Sequence, residues 1–426
     1  MTSKPDHTQA YVWVWLPGNT APVVAGLLTP SGSDLQFTYG RSYLARKDAV
    51  SLYAPELPLE SGPLPLLNGL GIPNCIRDAA PDAWGRCVIL NRRFGAKGKE
   101  LDTAELNELT FLLESGSDRA GALDFQNAAH RYEPREGAGA SLEDLLTASE
   151  CVEKGIPLSP ELGDALFHGT SIGGARPKAT ITSENKKYIA KFSAQNDLYS
   201  VVKAEYIAMR LAAEAGLKVA PVRMVRAAGK DVLLVERFDR EKKGEDWARK
   251  MMVSALTLLE LDEMMARYAS YENLATIIRH RFTEPKQTLR ELYSRMVFNI
   301  LCGNTDDHAR NHAAFWDGSH PKLAPAYDIC PQARTGGEAS QAMLILGNEK
   351  KSQIAVCLKA APSFLLKEAD ATTVVKDQVK VIKNRWSTVC REANLSEVDK
   401  NLFWRRQFLN PYAFIDVPGE IARLVE

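Results

Sequence analysis

An amphipathic helix that runs directly into a polar loop is the feature that most constrains how this chain folds. Apolar side chains recur every three to four residues at Leu289, Leu292, Met296 and Ile300, which predicts a helix with one face in the core. The stretch 304–311 follows and reads Asn-Thr-Asp-Asp-His-Ala-Arg-Asn. Because the buried face anchors the helix, its end must present this polar loop at a fixed place in the fold.

The polar loop and a downstream aspartate show a spacing that phosphoryl transfer uses. Asp306 and Asn311 are five residues apart, like the Asp and Asn of a protein-kinase catalytic loop, and Asp328 follows where a metal-binding Asp belongs. We expect Asp306 to orient or deprotonate an attacking hydroxyl, and Asn311 and Asp328 to hold Mg²⁺. His308 is expected to brace the loop.

Two other interpretations of the loop stay open from these residues. It could be a capped helix terminus, or the metal site of a hydrolase, because His308 and His312 are four residues apart, as zinc ligands can be. Against the second interpretation, the chain has only seven histidines. A zinc enzyme would also leave no evident task for Lys191, which lies in an apolar segment.

The composition is that of an ordinary globular protein. The 426 residues are 45% hydrophobic and 25% charged, which favours two or three domains. Lys and Arg number 53, as do Asp and Glu, so the basic excess of a stand-alone DNA-binding protein is missing. Seven scattered cysteines without a C-x-x-C pair argue against a disulfide framework or a zinc site and favour the cytoplasm. Without an apolar run of about 18 residues, no membrane insertion is expected.

The amino-terminal part of the chain, 1–125, is predicted to be a β-rich domain that also contains helices. Strand-like patterns occur at 11–16 and 23–28, and helical patterns at 83–93 and 103–114. Residues 126–160 mix Pro, Gly, Ser and charge around one short helix at 141–154, and we interpret them as a linker region.

The carboxy-terminal parts change from mixed to mainly helical structure. Residues 161–248 contain three predicted strands and a helix, in the order of a kinase small lobe, at 178–182, 188–192, 201–215 (the helix) and 231–236. Residues 249–426 are predicted to form a helical large lobe. The fold class expected is therefore α+β.

A loop of small residues precedes the first strand of the predicted small lobe. Residues 168–178 include Ser171, Gly173 and Gly174, and glycines there let backbone N–H groups approach phosphate oxygens. The loop matches neither G-x-x-x-x-G-K-[ST] nor G-x-G-x-x-G. It is either a loop that covers the phosphates of ATP or only the start of a hairpin.

Lys191 lies within the apolar segment 188–192, where an unpaired ammonium group is costly to bury. Glu205, on the following predicted helix, is the natural partner. A strand lysine that pairs with a helix glutamate and contacts the α- and β-phosphates is the protein-kinase arrangement. The alternative is a lysine at a sheet edge that extends its ammonium group to water.

The apolar strand at 231–236 ends in Glu236, Arg237, Phe238 and Asp239, which suits a hinge next to a nucleotide base. In this interpretation the backbone near Glu236 pairs with adenine, Phe238 packs nearby and Asp239 contacts the ribose. The alternative is a strand end with a solvated charged turn.

Several of these segments resemble the HipA family of bacterial serine/threonine kinases, the toxins of HipBA-type toxin–antitoxin systems. The resemblance is carried by Asp-Ala-Ala-Pro-Asp-Ala-Trp-Gly-Arg at 78–86 and Gly-Ser-Asp-Arg-Ala-Gly-Ala-Leu at 116–123, and further by 171–178, 189–192, 235–240, 296–311 and 325–328. It implies a two-lobed, protein-kinase-like α+β fold of HipA type, with a β-rich amino-terminal domain and a mainly helical carboxy-terminal lobe.

The resemblance also implies roles for single residues. It makes Asp306 the catalytic aspartate, Asn311 and Asp328 the Mg²⁺ ligands, and Lys191 the ATP lysine. Glu236 and Phe238 become hinge residues.

Ser171 falls on the serine that HipA-family members autophosphorylate, a modification that expels the loop from the ATP site and silences the kinase. The chain departs from members that have a Gln-Glu version of this loop, since residues 173–177 read Gly-Gly-Ala-Arg-Pro. Nucleotide affinity and switching are therefore expected to differ from those members.

The partners implied by the resemblance are a helix-turn-helix antitoxin of the HipB type, operator DNA contacted mainly through that antitoxin, and a protein substrate. Family members modify aminoacyl-tRNA synthetases, glutamyl-tRNA synthetase among them. Two alternatives are a catalytically weak, kinase-like corepressor and a kinase for a small molecule or lipid. The ordered set of Lys191, Glu205, Asp306, Asn311 and Asp328 favours a protein kinase that uses ATP and Mg²⁺.

Overall fold

The structure is a computed structural model that describes residues 7–95, 106–135, 140–166, 174, 176–194, 197, 199–334 and 336–425. Its strands are β1 Ala10–Val14, β2 Val23–Ser31, β3 Asp34–Tyr39, β4 Leu123–Gln126, β5 Lys178–Ser183, β6 Lys186–Lys191, β7 Val222–Ala227, β8 Lys230–Glu236, β9 Arg240–Lys243, β10 Asp246–Arg249, β11 Met251–Ser254, β12 Ala313–Trp316 and β13 Pro321–Leu323.

The helices of the described residues are α1 Arg41–Leu44, α2 Asn74–Arg77, α3 Ala83–Phe94, α4 Glu108–Glu114, α5 Leu142–Lys154, α6 Pro160–Leu166, α7 Val201–Glu214, α8 Ala255–Leu258, α9 Tyr271–Arg281, α10 Pro285–Cys302, α11 Ile354–Ala360, α12 Glu368–Glu392, α13 Glu397–Phe403 and α14 Gly419–Val425. This mixture of helices and sheets confirms the predicted α+β class. Within these ranges, none of the helices combines the length and apolar character needed to span a bilayer.

Two compact units make up the chain. The first contains Met1–Asn196, Val225–Val253 and Phe315–Ser319, and the second contains Asp197–Met224, Ser254–Ala314 and His320–Glu426. The helix α7, predicted as part of the small lobe, thus belongs to the second unit. The domain boundaries expected from the sequence remain a prediction.

The first sheet of the first unit has the order β3-β2-β1-β4, with antiparallel neighbours. All four residues of β4 are buried, and the buried side chains of the sheet include Val12, Val14, Phe37 and Phe125. Burying each of these side chains stabilises the fold by about 1.5–3 kcal/mol. The β-rich amino-terminal module that the sequence predicted is therefore confirmed as a sheet with its own core.

The second sheet of the first unit has the order β5-β6-β8-β7. The turn between β5 and β6 consists of Glu184 and Asn185, both with positive φ, as a two-residue hairpin of type I′ requires. One face of the sheet packs against Leu145 and Leu146 of α5. The segment interpreted as a linker therefore contains a helix that covers a sheet.

The second unit is built mainly from helices. The long helix α10 packs against α9, α11 and α12, and α12 also packs against α7 and α14. The apolar face predicted for α10 is confirmed, because Leu289, Leu292 and Met296 have no exposed area. The described residues also form two smaller sheets, the hairpin β9-β10 of the first unit and a sheet with the order β11-β12-β13.

Candidate active site

The end of α10 places the polar loop. The helix begins with Pro285 in its first turn and ends at Gly303, whose φ of 74° is left-handed and whose N–H donates to the carbonyls of Asn299 and Ile300. A Cβ atom at Gly303 would lie 2.7 Å from the carbonyl oxygen of Gln407. Both the left-handed φ and the close backbone approach therefore require glycine where the helix meets the loop.

Hydrogen bonds from outside the loop hold its first residues. The carboxamide of Asn304 donates to Oδ1 of Asn299 at 3.0 Å, and the carbonyl of Asn304 accepts from Nε2 of Gln341, also at 3.0 Å. The N–H of Ala342 donates to the carbonyl of Thr305 at 3.1 Å. The segment before Asp306 is thus fixed by both the helix and the chain near residue 341.

A tight turn brings Asn311 to the backbone of Asp306. Nδ2 of Asn311 donates to the carbonyl oxygen of Asp306 at 3.1 Å, and the N–H of His308 donates to the same oxygen at 2.9 Å. A single 3₁₀ turn, Ala309–Asn311, closes the loop. The side chain of Asp306 is exposed while that of Asn311 is 9% exposed. The five-residue spacing therefore folds into one compact loop.

Asp328 is presented by a separate segment of the second unit. Its φ of 59° is left-handed, which Asp tolerates better than most residues. The preceding Ala326 exchanges backbone hydrogen bonds with Lys218 and Ala220, and the hydroxyl of Tyr327 donates to the carbonyl of Arg310 at 2.7 Å. This last bond ties the Asp328 segment to the loop of Asp306.

The electrostatics of Asp306 fit a cation-binding site. Partial burial raises the pKa of the Asp306 carboxyl, and the negative charges of Asp328 and Asp307 raise it further, while His308 acts in the opposite direction. Carboxylates that repel one another are stabilised by a divalent cation, and two carboxylates with a carboxamide are oxygen ligands that suit Mg²⁺. Asn311 and Asp328 therefore fit a magnesium ion chemically, with the carboxyl of Asp306 beside them.

His308 lies beside this carboxyl and is half-buried. Its Nδ1 atom is buried and makes no hydrogen bond within the described part of the chain. The imidazole lowers the pKa of Asp306, against the larger effect of burial. The role expected from the sequence, a side chain that braces the loop, stays a prediction.

The neighbouring Asp307 points into the interior instead. Its carboxylate accepts from the hydroxyl of Tyr271 and lies 2.9 Å from Nε2 of His312. Burial acts to raise the pKa of Asp307, but the charge of His312 and the hydrogen bonds from His312 and Tyr271 lower it below the ordinary value. The sequence did not single out this buried group.

The zinc alternative finds no support in this geometry. His312 is 3% exposed and its Nε2 is engaged with Asp307, so His308 and His312 do not form a paired ligand set. No group of three or more His, Cys, Asp or Glu suited to a metal occurs among the residues that the structure describes. The other alternative was that the loop is a capped helix terminus. This holds for the backbone alone, where Gly303 ends α10.

In the first unit, Lys191 is the last residue of β6 and pairs with Lys178, the first residue of β5. Residues directly opposite on antiparallel strands place their side chains on the same face of the sheet. Two ammonium groups on one face attract anions such as phosphates. Lys178 was missed at the sequence level, although the two-residue turn at Glu184 and Asn185 fixes this register.

Glu205 is 3% exposed on α7, in the second unit. A buried glutamate requires a compensating partner, and Glu205 was expected to pair with Lys191. Lys191 belongs to the first unit. The expected pairing of Lys191 with Glu205 remains a prediction.

The predicted hinge residues lie at the end of β8 in the first unit. Oε2 of Glu236 accepts from Nζ of Lys186 at 2.7 Å, and the ring of Phe238 contacts that of Phe315 edge-to-face, with 5.9 Å between centroids. The backbone of Glu236 is opposite Tyr188 in the sheet. Their role at a nucleotide base stays a prediction.

The ribose contact predicted for Asp239 requires a correction. Its carboxylate accepts from Arg237, from Nη1 of Arg240 at 2.9 Å and from the N–H of Gly121 at 2.8 Å, and the residue is 5% exposed. Burial acts to raise the pKa of Asp239, but the two arginines lower it to about 2. The structure does not support a ribose contact, because both carboxylate oxygens serve a buried ionic cluster.

This buried cluster also contains Asp118, from the Gly-Ser-Asp-Arg segment singled out in the sequence. Asp118 lies 3.0 Å from both Arg237 and Arg240 and 3.1 Å from Lys187. The segment 116–123 is therefore structural: it links the region around β4 to β6, β8 and β9. In the sequence, this ionic cluster is indicated by the closely spaced opposite charges of Arg237, Asp239 and Arg240.

Of the small-residue loop, Ser171 and Gly173 lie outside the described residues. Gly174 is described and has a φ of 109°, which only glycine adopts readily. Its N–H donates to Oδ2 of Asp82. The expected roles of Ser171, Gly173 and Gly174 toward a nucleotide remain predictions.

Comparisons with known proteins agree with the organisation of the chain. A family model described as the HipA N-terminal domain matches residues 14–126, and one described as the HipA-like C-terminal domain matches residues 170–386, more than half of the chain. Y4mE of Sinorhizobium fredii, provisionally named as a kinase, is 24% identical over an alignment of 335 residues that covers 74% of this chain and 76% of that protein.

Shewanella oneidensis provides two further matches, one in sequence and one in structure. The serine/threonine-protein kinase toxin HipA is 27% identical over 186 residues, 37% of this chain and 42% of that protein. A solved chain from the complex of HipA, HipB and operator DNA has a TM-score of 0.63 and 18% identity, and the match covers 98% of this chain and 94% of that chain. The family matches and the shared kinase-like α+β fold lead to one conclusion: this chain belongs to the HipA family.

Proposed function

We propose that this chain is a protein serine/threonine kinase that uses ATP and Mg²⁺ and acts in the cytoplasm as the toxin of a toxin–antitoxin pair. The observation that carries the proposal is the group formed by Asp306, Asn311 and Asp328 within the second unit. Asp306 is an exposed residue with a partly buried carboxyl, a hydrogen bond from Asn311 fixes the loop, and the charge of Asp328 contributes to the raised pKa of that carboxyl.

In this proposal Asp306 accepts the proton of the substrate hydroxyl while the hydroxyl oxygen attacks the γ-phosphorus of ATP. The bond from that phosphorus to the β-phosphate oxygen breaks, and ADP leaves. Asn311 and Asp328 would hold Mg²⁺, which when bound neutralises the phosphate oxygens. Lys191, with Lys178 opposite it, would contact the phosphates. Positioning and charge neutralisation supply most of the rate enhancement.

The proposed partners follow from family membership. The Shewanella structure contains HipB and operator DNA, which supports a HipB-type helix-turn-helix antitoxin as the partner here, with operator DNA contacted mainly through it. The proposed acceptor is a translation component, such as glutamyl-tRNA synthetase or another aminoacyl-tRNA synthetase. Autophosphorylation on Ser171 is proposed as a silencing step.

The direct test is transfer of labelled phosphate from γ-labelled ATP, in the presence of Mg²⁺, to the purified protein. We expect label on Ser171 in the wild-type protein, loss of that label in Ser171→Ala, and loss of all transfer in Asp306→Asn. Asp377→Asn, an exposed aspartate of α12, is the matched control and should retain transfer. Equal labelling of the Asp306→Asn protein contradicts the assignment.

Phosphosite mapping in cells then identifies the acceptor. Sites that appear after induction of the wild-type chain, but not of Asp306→Asn, identify protein substrates. New phosphorylation of metabolites or lipids alone would indicate a small-molecule kinase. Harmless expression, no ATP binding and a rise in operator affinity of the antitoxin would instead indicate a kinase-like corepressor.

A further inference from the structure

Asp82 occupies the N-cap position of α3 but does not cap that helix. Aspartate at an N-cap ordinarily accepts a hydrogen bond from the backbone N–H two or three residues later. Asp82 has the extended backbone of such a residue, with φ −79° and ψ −174°, yet its side chain makes no cap hydrogen bond. Its Oδ2 atom accepts instead from the N–H of Gly174, 92 positions away in the chain.

Trp84 makes two further hydrogen bonds to the same segment. Its backbone N–H donates to the carbonyl of Gly174 at 3.3 Å, and its indole Nε1 donates to the carbonyl of Lys178 at 3.1 Å. The indole is 4% exposed and packs in a core cluster with side chains of α3, α5 and α6, namely Val88, Ala148, Val152 and Leu166. The beginning of α3 thus holds both the peptide groups around Gly174 and the start of β5.

Gly174 lies beside the end of the Lys178 side chain. Gly174 has a φ of 109°, and a Cβ atom there would lie 2.1 Å from Nζ of Lys178. Lys178 is itself buried and is the residue opposite Lys191. A displacement of Gly174 would therefore move the surroundings of the ammonium group of Lys178.

We propose that Asp82 and Trp84 are positioning residues for nucleotide binding: they fix the backbone of Gly174 and of Lys178, and so place Lys178 opposite Lys191. This inference rests on the proposed function. It gives the Pro-Asp-Ala-Trp-Gly motif at 81–85 a role in nucleotide binding, although the motif has no reactive group that would suggest one. It also changes the role of Gly174, whose N–H serves the anchor rather than a phosphate.

A competing explanation treats the Asp82 carboxylate as a phosphate mimic that blocks the nucleotide. Three hydrogen bonds argue for an anchor instead. A displaceable blocker requires only the carboxylate contact, whereas here a core tryptophan holds the same segment from two further points. The two explanations predict opposite changes in ATP affinity when the carboxylate is removed.

The experiment compares ATP affinity, at fixed Mg²⁺, in four full-length proteins by isothermal titration calorimetry. We expect Asp82→Ala to weaken ATP binding by about tenfold or more, since a charge-assisted hydrogen bond is lost. Asp82→Asn keeps an acceptor oxygen and should stay within about threefold of wild type. Ser141→Ala removes a cap that does serve its own helix, α5, and should lower Tm without changing ATP affinity.

A second readout separates positioning from general destabilisation. Asp82→Ala should increase amide hydrogen exchange at residues 176, 178 and 179, whereas Ser141→Ala should leave exchange there unchanged. If wild type fails to bind ATP, the proposed function and this inference both fall. If wild type binds and Asp82→Ala binds equally or more tightly, only the inference is overturned.

Discussion

Oδ1 of Asp307 and Nε2 of His312 lie 2.9 Å apart, with both side chains about 3% exposed. The pair joins the residue that follows the proposed catalytic Asp306 to the residue that follows Asn311, and Tyr271 of α9 donates to the same carboxylate. Adjacent aspartates therefore have opposite surroundings: Asp306 faces outward, while Asp307 holds the loop from inside. We therefore expect the geometry of the loop to depend on Asp307 and its chemistry to depend on Asp306.

The first prediction concerns this interior group. Asp307→Ala leaves His312 and Tyr271 without their acceptor, and breaking such a buried pair costs about 3–5 kcal/mol of unfolding free energy. Tyr271→Phe, which removes only one hydroxyl, should cost about 1–3 kcal/mol. Urea denaturation measures both. An unchanged midpoint for Asp307→Ala would show that the network is not stabilising.

Acid denaturation tests Asp307 through the pH dependence of the unfolding free energy. The pKa of Asp307 in the folded protein is lowered from 3.8, so its contribution to stability is present above that value and is lost as pH falls through the lower folded pKa. Asp307→Asn cannot make this contribution. Its unfolding free energy should therefore fall less steeply than that of wild type below about pH 4. Parallel curves would contradict the assignment.

A second prediction separates function from stability at Asp306. Asp306→Asn removes a charge that Asp328 and Asp307 repel, so Tm should stay equal or rise. Phosphoryl transfer should fall by at least about 100-fold, as expected when a general base is lost. Differential scanning calorimetry and initial rates measure the two effects. A protein that loses stability and retains its rate would refute the proposed role.

A third prediction concerns the metal. Asp328→Asn keeps a residue that tolerates the left-handed φ of 59°, so backbone strain is not introduced. It removes one anionic ligand and should raise the Mg²⁺ concentration needed for half-maximal rate by about tenfold or more. Titrating Mg²⁺ at saturating ATP measures the shift. Asp377→Asn serves again as the exposed control and should leave the Mg²⁺ dependence unchanged.

A fourth prediction decides between two roles for Asp239. As part of the buried cluster with Arg237 and Arg240, its loss in Asp239→Ala should cost about 3–5 kcal/mol. Because its folded pKa is about 2, the stability it confers is lost as pH falls from about 4 toward 2. Asp246→Ala, an exposed site on β10, is the control. Weaker ATP binding with unchanged stability would instead restore the ribose interpretation.

Much of the fold followed from local patterns in the sequence. The apolar spacing at Leu289, Leu292 and Met296 predicted α10, and Gly303 ends it, because helix periodicity and capping involve residues within a few positions of one another. The five-residue spacing of Asp306 and Asn311 is also local, and one turn brings Asn311 to the backbone of Asp306. Such features need no knowledge of the rest of the chain.

Other roles were decided only by tertiary structure. The charges at 237–240 are visible locally, but the partners that complete their cluster are not, because Gly121 is 118 positions from Asp239 and Asp118 is 122 positions from Arg240. Asp82 has the sequence context of an ordinary helix cap, yet its hydrogen bond goes to Gly174. Sequence by itself determined where helices, turns and candidate chemical groups lie. The fold alone determined which buried charge meets which partner, because desolvation forces each buried polar group to bond with whatever the packed chain brings beside it.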